Sequence, residues 1–543
     1  MPLIPLQIPK GQYRNGTEYM SQGRWRDGNL IRWHDDALRP VGGWVKRQQA
    51  DTSDTDITSV GSVGGAVRGA HSWIDNSGSR YAAFGTYNGL VVMLESSVLD
   101  DITPTGLTSG RIHAAINTGW GSGGFGFFSW GTARPDLGTI LPATTWSLDN
   151  WGEYLIACSN DDGVIYEWRP NAIPAQATAV AVANAPTGCV GAFVTEERFL
   201  VALGCDDALG DNRRLVKWSD QENNTNWTAA ATNQAGDIEL QTSGNILAGV
   251  RTRGQSLILT TEDAHTMTYQ GPPFVYGFER VGTSCGMISA AAYASVDAGV
   301  IWMGKRGFFI YSGGAVRDLP CEVADYVFSD INFDQQTKVQ AITNNQWNEI
   351  WWFYQSNDSN ECDSYVAFDY VENIWMTGKL ARTSGFDRGV FRNPMFVDVN
   401  GIVYEHETGN DYGYNAPYAE TGPIALGAGD RVMKVTKMIR DEKTQGDVRF
   451  DFKTRMYPNA AETSHGPYPS DFIYESDFSV TPPTTGLPVP QDGPAVVEED
   501  KNKYDAPTSV RFQGRQVRMK VSGSGSDWRV GIVRLEAREG SKR

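Results

Sequence analysis

The chain is predicted to be all-β: a six- or seven-bladed β-propeller with an additional C-terminal β-sandwich-like domain. Three observations predict this. The first is a recurring β-hairpin that closes on an aromatic residue. Such hairpins span 81–94 around Asn88-Gly89, 155–168 around Asp162-Gly163, 257–269 around 262–265, 300–311 around 305–307, and 395–405 around Asn400-Gly401. Asn-Gly and Asp-Gly between apolar runs favour tight hairpins because both residues tolerate positive φ. The second is the similarity of the closing strands: VIYEW (164–168), LVKW (215–218), TMTY (266–269), FFIY (308–311), YVAF (365–368) and IVYE (402–405). Their aromatic markers Trp168, Trp218, Tyr269, Tyr311, Phe368 and Tyr404 are separated by 50, 51, 42, 57 and 36 residues. A sheet module repeating every 40–50 residues or so is the signature of a propeller. The third is composition: 59 Gly, 17 Trp, 22 Tyr and 22 Phe in 543 residues supply many turns and many strand-favouring aromatics.

The elements divide the chain into three regions. Residues 1–67 read as an N-terminal arm and lead-in loop. They hold little periodicity and rely on a neighbour for order. Residues 68–415 carry the hairpin modules. The step from Met93 to Trp168 is too long for one blade, and it contains the glycine-aromatic stretch GWGSGGFGFFSWG at 119–131, read as an inserted loop. Residues 323–331 (VADYVFSDI) form the best helix candidate. Residues 416–543 form the C-terminal β domain, with alternating strands at 432–441, 447–455, 509–512, 517–521 and 528–536. Its Pro-rich, acidic insertion at 457–503 lacks periodicity and reads as a long loop.

Charge is uneven. The whole chain carries −17, yet residues 1–47 carry +4 and residues 504–543 carry +5, which leaves −26 in the middle. A polyanionic middle is a poor clamp for nucleic acid, because binding needs Lys and Arg to displace counterions. It suits a surface past which a polyanion slides. No window of about 18 apolar residues exists, so no membrane span is expected. Prolines at 2, 5 and 9 interrupt the start where a signal peptide needs a helical apolar core, and the protein reads as made in the cytoplasm. Cysteines at 158, 189, 205, 285, 321 and 362 form no C-x-x-C pair and read as reduced thiols, five in or beside strands and Cys362 in a polar loop.

Chemistry-bearing motifs are sparse. Asp149, Glu153, Asp161 and Asp162 cluster in 146–168, and Ser159-Asn160-Asp161-Asp162-Gly163 approaches the Asp box of sialidase-like propellers. Tyr166 stands where that box has Trp, there is no second copy, and the stretch reads as a structural hairpin turn rather than a catalytic carboxylate pair. The histidines at 34, 71, 113, 265, 406 and 465 are isolated in sequence, so no metal site, cofactor or catalytic residue is expected. On an extended strand, Arg511, Gln513, Arg515 and Val517 would share one face. That face reads as meeting an acidic protein partner or solvent in preference to phosphate.

The N-terminal segments Gly11-Gln12-Tyr13-Arg14-Asn15-Gly16-Thr17, Gly23-Arg24-Trp25 and Leu38-Arg39-Pro40-Val41-Gly42-Gly43-Trp44 resemble the opening of the tail nozzle proteins of short-tailed bacteriophages, also called packaged-DNA-stabilisation proteins. Trp146-Ser147-Leu148-Asp149-Asn150-Trp151-Gly152-Glu153 and Gly514-Arg515-Gln516 with Asp527-Trp528-Arg529-Val530-Gly531 resemble segments that recur in phage structural proteins. The acidic insertion and the basic tail depart from that pattern. The resemblance implies a non-enzymatic virion tail protein. It would form a homohexameric ring below the portal and adaptor, with tail spikes or fibres as further neighbours. Double-stranded DNA would be held back, then pass without specific contact.

Within that expectation, Arg24, Trp25, Arg26, Arg32, Trp33 and Trp44 are candidates for the adaptor or neighbour interface, since Trp and Arg dominate interface hot spots. Asp206, Asp207 and Asp211, or Trp120 and Phe125 in the glycine-aromatic stretch, are candidates for lining or gating the channel. Two other readings stay open: a receptor-binding or tail-tip protein, and a propeller glycosidase.

Overall fold

The computed structural model describes residues 3–49, 58–59, 61–116, 140–425, 431–443, 448–457, 460–469, 507–523 and 527–539. They fall into two compact units. One comprises Val45–Trp375 and Lys379–Glu407; the other comprises Met1–Trp44, Met376–Gly378 and Thr408–Arg543.

The larger unit is a propeller of seven four-stranded antiparallel sheets among the described residues. The innermost strands are Gly69–Ile74, Trp146–Trp151, Gly191–Val194, Ile246–Thr252, Tyr293–Val296, Gln340–Asn344 and Ser384–Phe386. Each neighbours the next, and the seventh neighbours the first, so the ring is closed. The seventh blade takes its outer strand, Trp44–Lys46, from the other end of the chain. Arg47 N donates to Val403 O at 2.9 Å beside that strand. Closure of this kind leaves no free sheet edge between the first and last blades.

The repeat that the aromatic markers traced is the third strand of each blade. Ile165–Trp168, Leu215–Trp218, Asp263–Gly271, Phe308–Ser312, Ser364–Asp369 and Val403–His406 all hold that place, and Leu90–Leu94 is its counterpart in blade 1. Trp168, Trp218, Tyr311 and Phe368 are buried between sheets. Gly163 and Gly401 take φ of +68° and +78°, as the Asp-Gly and Asn-Gly turns require. The predicted helix is present at Ala324–Asp330. Cys362, expected in a polar loop, is fully buried.

Blade packing is tight enough to exclude single methyl groups. A Cβ on Gly249 of the fourth inner strand would lie 2.2 Å from Phe193 Cε1 of the third. Gly249→Ala is therefore expected to destabilise the propeller by about 1–3 kcal/mol, read as a shift in urea midpoint. An unchanged midpoint would mean that Phe193 has a second rotamer to occupy.

The smaller unit contains three sheets among its described residues. In the first, Leu3–Leu6, Val533–Glu539, Met433–Ile439 and Thr508–Gly514 lie in that order. In the second, Trp25–Asn29, Tyr418–Thr421, Gln516–Gly523, Val448–Arg455 and Thr463–Pro469 follow one another. The third joins Ile31–His34, Ala37–Pro40, Arg529–Val530 and Glu442–Lys443. Phe512 of the first sheet stacks on Phe452 of the second at 4.8 Å, which gives the unit a sandwich-like core.

Three expectations change here. The N-terminal region is not a separate arm: its strands at 3–6, 25–29, 31–34 and 37–40 belong to the sheets of the C-terminal domain. Strands 3–6, 25–29 and 37–40 pair with partners near the other end of the chain, at 533–536, 418–421 and 530, so the stretch shows no local repeat of its own. Thr463–Pro469, inside the segment read as a loop, pairs with Val448–Arg455 as a strand. The basic run 511–518 is broken as well. Thr508–Gly514 and Gln516–Gly523 belong to different sheets, and Val517 is buried instead of sharing a face with Arg511.

Candidate functional site

A propeller concentrates its chemistry where the inner strands converge. Here they enclose a central channel of about 460 Å³ lined by residues from all seven blades. Much of the wall is Gly and Ala, including Gly69, Ala70, Gly191, Ala192, Ala248, Gly249, Ala291 and Gly385. Small residues bring the strands close to the axis and leave the few larger polar side chains to define the lumen.

Those side chains are His71, Asp149, Arg251, Tyr293 and Gln340. Asp149 is the anchor. Its Oδ2 accepts from Val194 N at 2.8 Å, and its Oδ1 accepts from Asn150 N at 2.8 Å and from Arg251 Nη2 at 2.9 Å. Arg251 Nη1 also donates to Val194 O at 3.1 Å, so the guanidinium is held across two blades. His71 Nε2 donates to Asn150 Oδ1 at 3.2 Å. Burial holds the His71 imidazole below its ordinary range, against the opposing pull of Asp149 and Asn150, and favours the neutral ring. Burial, helped by Asp149, pushes the Tyr293 hydroxyl up to about 12, so it remains a neutral donor.

Two channel groups are not satisfied by the protein. Gln340 is 3% exposed, and its Nε2 has no hydrogen-bond partner among the described residues. No described residue hydrogen-bonds the Tyr293 hydroxyl either. Arg251 and Ser295 also line a second, polar basin of about 700 Å³ whose wall includes Arg253, Asp297, Asn345, Asn348 and Tyr370.

The carboxylates that clustered in sequence do not converge. Asp149 faces the channel, while Glu153 and Asp161 lie beyond opposite ends of the strand Tyr154–Ser159. Asp161 pairs with Arg111, and Asp162 accepts from Tyr166 OH, so the box-like turn is braced structurally. Among the described residues no group of three His, Cys, Asp or Glu side chains has metal-binding geometry.

Other candidates are placed as follows. Trp25, Arg32, Trp33 and Trp44 are buried, so they are core residues and not exposed interface anchors. Trp25 packs on Trp33 at 6.2 Å, and Trp44 meets Tyr412 edge-on at 5.8 Å. Arg24 lies over the Tyr13 ring at 5.1 Å, and Arg26 Nη1 donates to Ser21 Oγ at 3.2 Å; both remain half-exposed. Asp206 and Asp207 pair with Asp211 and Gly210 in a small two-stranded ribbon outside the propeller's own central cavity, with Asp207 and Asp211 exposed. Trp120 and Phe125 lie outside the described residues.

His71, Arg251, Tyr293 and Gln340 escaped sequence reasoning as site residues. An isolated histidine or glutamine carries no spacing signal. Only ring closure brings residues 71, 149, 251, 293 and 340 to one axis.

No protein-family model matches the chain, and neither does any curated protein. Among solved structures it is similar to virginiamycin B lyase from Staphylococcus aureus, with a TM-score of 0.39, 6% identity, and coverage of 67% of this chain and 99% of that one. It is also similar to BamB from Moraxella catarrhalis, with a TM-score of 0.29, 12% identity, and coverage of 52% and 84%.

Proposed function

We propose that this chain is a structural protein of a short-tailed phage, the nozzle of the tail. In this reading six copies form a ring below the portal and adaptor, retain packaged DNA and open for its ejection. The observation that carries the proposal is where the family-like segments fall. Residues 11–44, which resemble the opening of the nozzle family, and 514–531, which resemble segments of phage structural proteins, fold into one unit. Leu38 pairs with Val530, and Arg39 Nη2 meets Asp527 at 3.0 Å. The basic termini also answer acids within that unit: Arg518 contacts Glu18 at 3.1 Å and Glu420 at 2.9 Å.

The propeller's own channel is not the route for DNA. At about 460 Å³, and crossed by the Asp149–Arg251 pair, it is the size of a small-molecule site. The major groove of a duplex alone is about 12 Å wide. A conduit would therefore lie between protomers, with closed propellers as stiff, acidic wall elements. Ring closure by such protomers uses head-to-tail contacts between two different surfaces.

Native mass measurement with and without the adaptor ring tests the reading. A hexamer, or a monomer that becomes hexameric on the ring, is expected. A trimer would favour receptor binding, and absence of the labelled protein from the tail in virion images would overturn the proposal.

A further inference from the structure

We propose that the propeller channel binds the terminal residue of a neutral glycan, with the polar basin that shares Arg251 and Ser295 receiving the sugar that follows. The inference is independent of the tail reading, since it concerns the interior of one propeller.

Four observations carry it. The channel has the volume of a small-ligand site, and its wall mixes small apolar residues with converging polar groups. Gln340, on the channel wall, carries a buried Nε2 with no partner among the described residues, of the kind that leaves a real cost when no acceptor reaches it. Tyr293 adds a second donor that no described residue uses. Finally, the fixed charges cancel: Asp149 and Arg251 pair at 2.9 Å, and His71 is neutral. A site with spare donors and no net charge selects a neutral ligand rich in acceptors. Hydroxyl and amide oxygens of a sugar meet that description, whereas a phosphate or carboxylate would find no uncompensated cation. The basin continues the same chemistry: Asn345 and Asn348 offer amides, and Tyr370 offers an aromatic face.

The test is calorimetric titration of the full chain with N-acetylglucosamine, galactose and inorganic phosphate. Saturable binding of a sugar, and none of phosphate, is expected. Tyr293→Phe should weaken sugar binding several-fold to about tenfold, the worth of one hydrogen bond, without changing thermal stability, because that hydroxyl supports no protein contact. Ser295→Trp, at an exposed position shared by channel and basin, should abolish binding by crowding the wall they share. Failure of both sugars to bind at millimolar concentration would overturn the proposal. So would sugar binding indifferent to both substitutions, or phosphate bound in the channel in preference to sugar. A failed hexamer measurement would leave these outcomes untouched.

Discussion

Glu361→Gln is expected to destabilise the propeller unit by about 3–5 kcal/mol, the range for removing one partner of a buried ion pair. Lys338→Met should cost far less. The asymmetry comes from a charge count. Arg68, 2% exposed, and Lys338, with a fully buried side chain, converge on the single carboxylate of Glu361. Lys338 Nζ donates to Glu361 Oε1 at 3.0 Å, Asn360 O at 2.6 Å and His113 Nδ1 at 2.7 Å, while Arg68 Nη1 is buried with no partner among the described residues. Removing the carboxylate leaves two buried cations without their shared anion, whereas removing Lys338 leaves a matched pair. Urea unfolding of the three proteins decides. Equal losses for the two variants would sink the argument.

The same cluster fixes a pH signature. Burial, then repulsion from Arg68, brings the Lys338 ammonium down to about 8 from 10.5. Between those values the unfolded chain holds a proton that the folded one has released. Stability should therefore rise with pH across that window, and the rise should vanish in Lys338→Met. His113 is held below its ordinary 6.5, by burial first and then by Lys338. Its contribution runs with the same slope at lower pH: stability is lost as pH falls below 6.5, because the unfolded chain takes up the proton more readily. Hydrogen exchange at Arg111 and Ala114, whose amides donate to Thr144 Oγ1 at 2.7 Å and Gln335 Oε1 at 2.9 Å, would report loosening of this segment on acidification.

The second large effect is expected at the closure. Arg47→Pro should cost about 1–3 kcal/mol from the backbone bond, with the loss of the side-chain ion pair in addition, since it removes a strand donor and places a ring where the ladder requires an N–H. Arg47 N is the donor to Val403 O, and its side chain pairs with Glu405 and donates to Ser97 Oγ at 2.9 Å. Arg47→Gln separates the two contributions: it keeps the backbone bond and loses the ion pair, so it should cost less than proline. If Arg47→Pro unfolded at the wild-type midpoint, closure by this segment would contribute nothing to the ring.

The blades were legible one at a time. Their hairpins, turn glycines and third-strand aromatics depend on residues within about fifty positions of one another, and local pattern records such contacts. The helix at Ala324–Asp330 was legible for the same reason. The C-terminal strands were readable wherever apolar and polar residues alternate, as along Val448–Arg455. What the sequence determined by itself was therefore the module and its repetition.

The number of blades, the partners of the N-terminal strands and the contents of the channel were decided only by tertiary structure. The first blade was obscured by the long segment before Trp146, and the seventh is completed by a strand from the opposite end of the chain. Trp25, Trp33 and Trp44 looked like interface anchors because large aromatics beside arginines serve either purpose. The pairing of 25–29 with 418–421 and of 37–40 with 529–530 turned them inward. His71, Asp149, Arg251, Tyr293 and Gln340 share no motif. They meet because seven strands spaced along the chain end up parallel to one axis, and no local pattern encodes a meeting that only closure of the ring brings about.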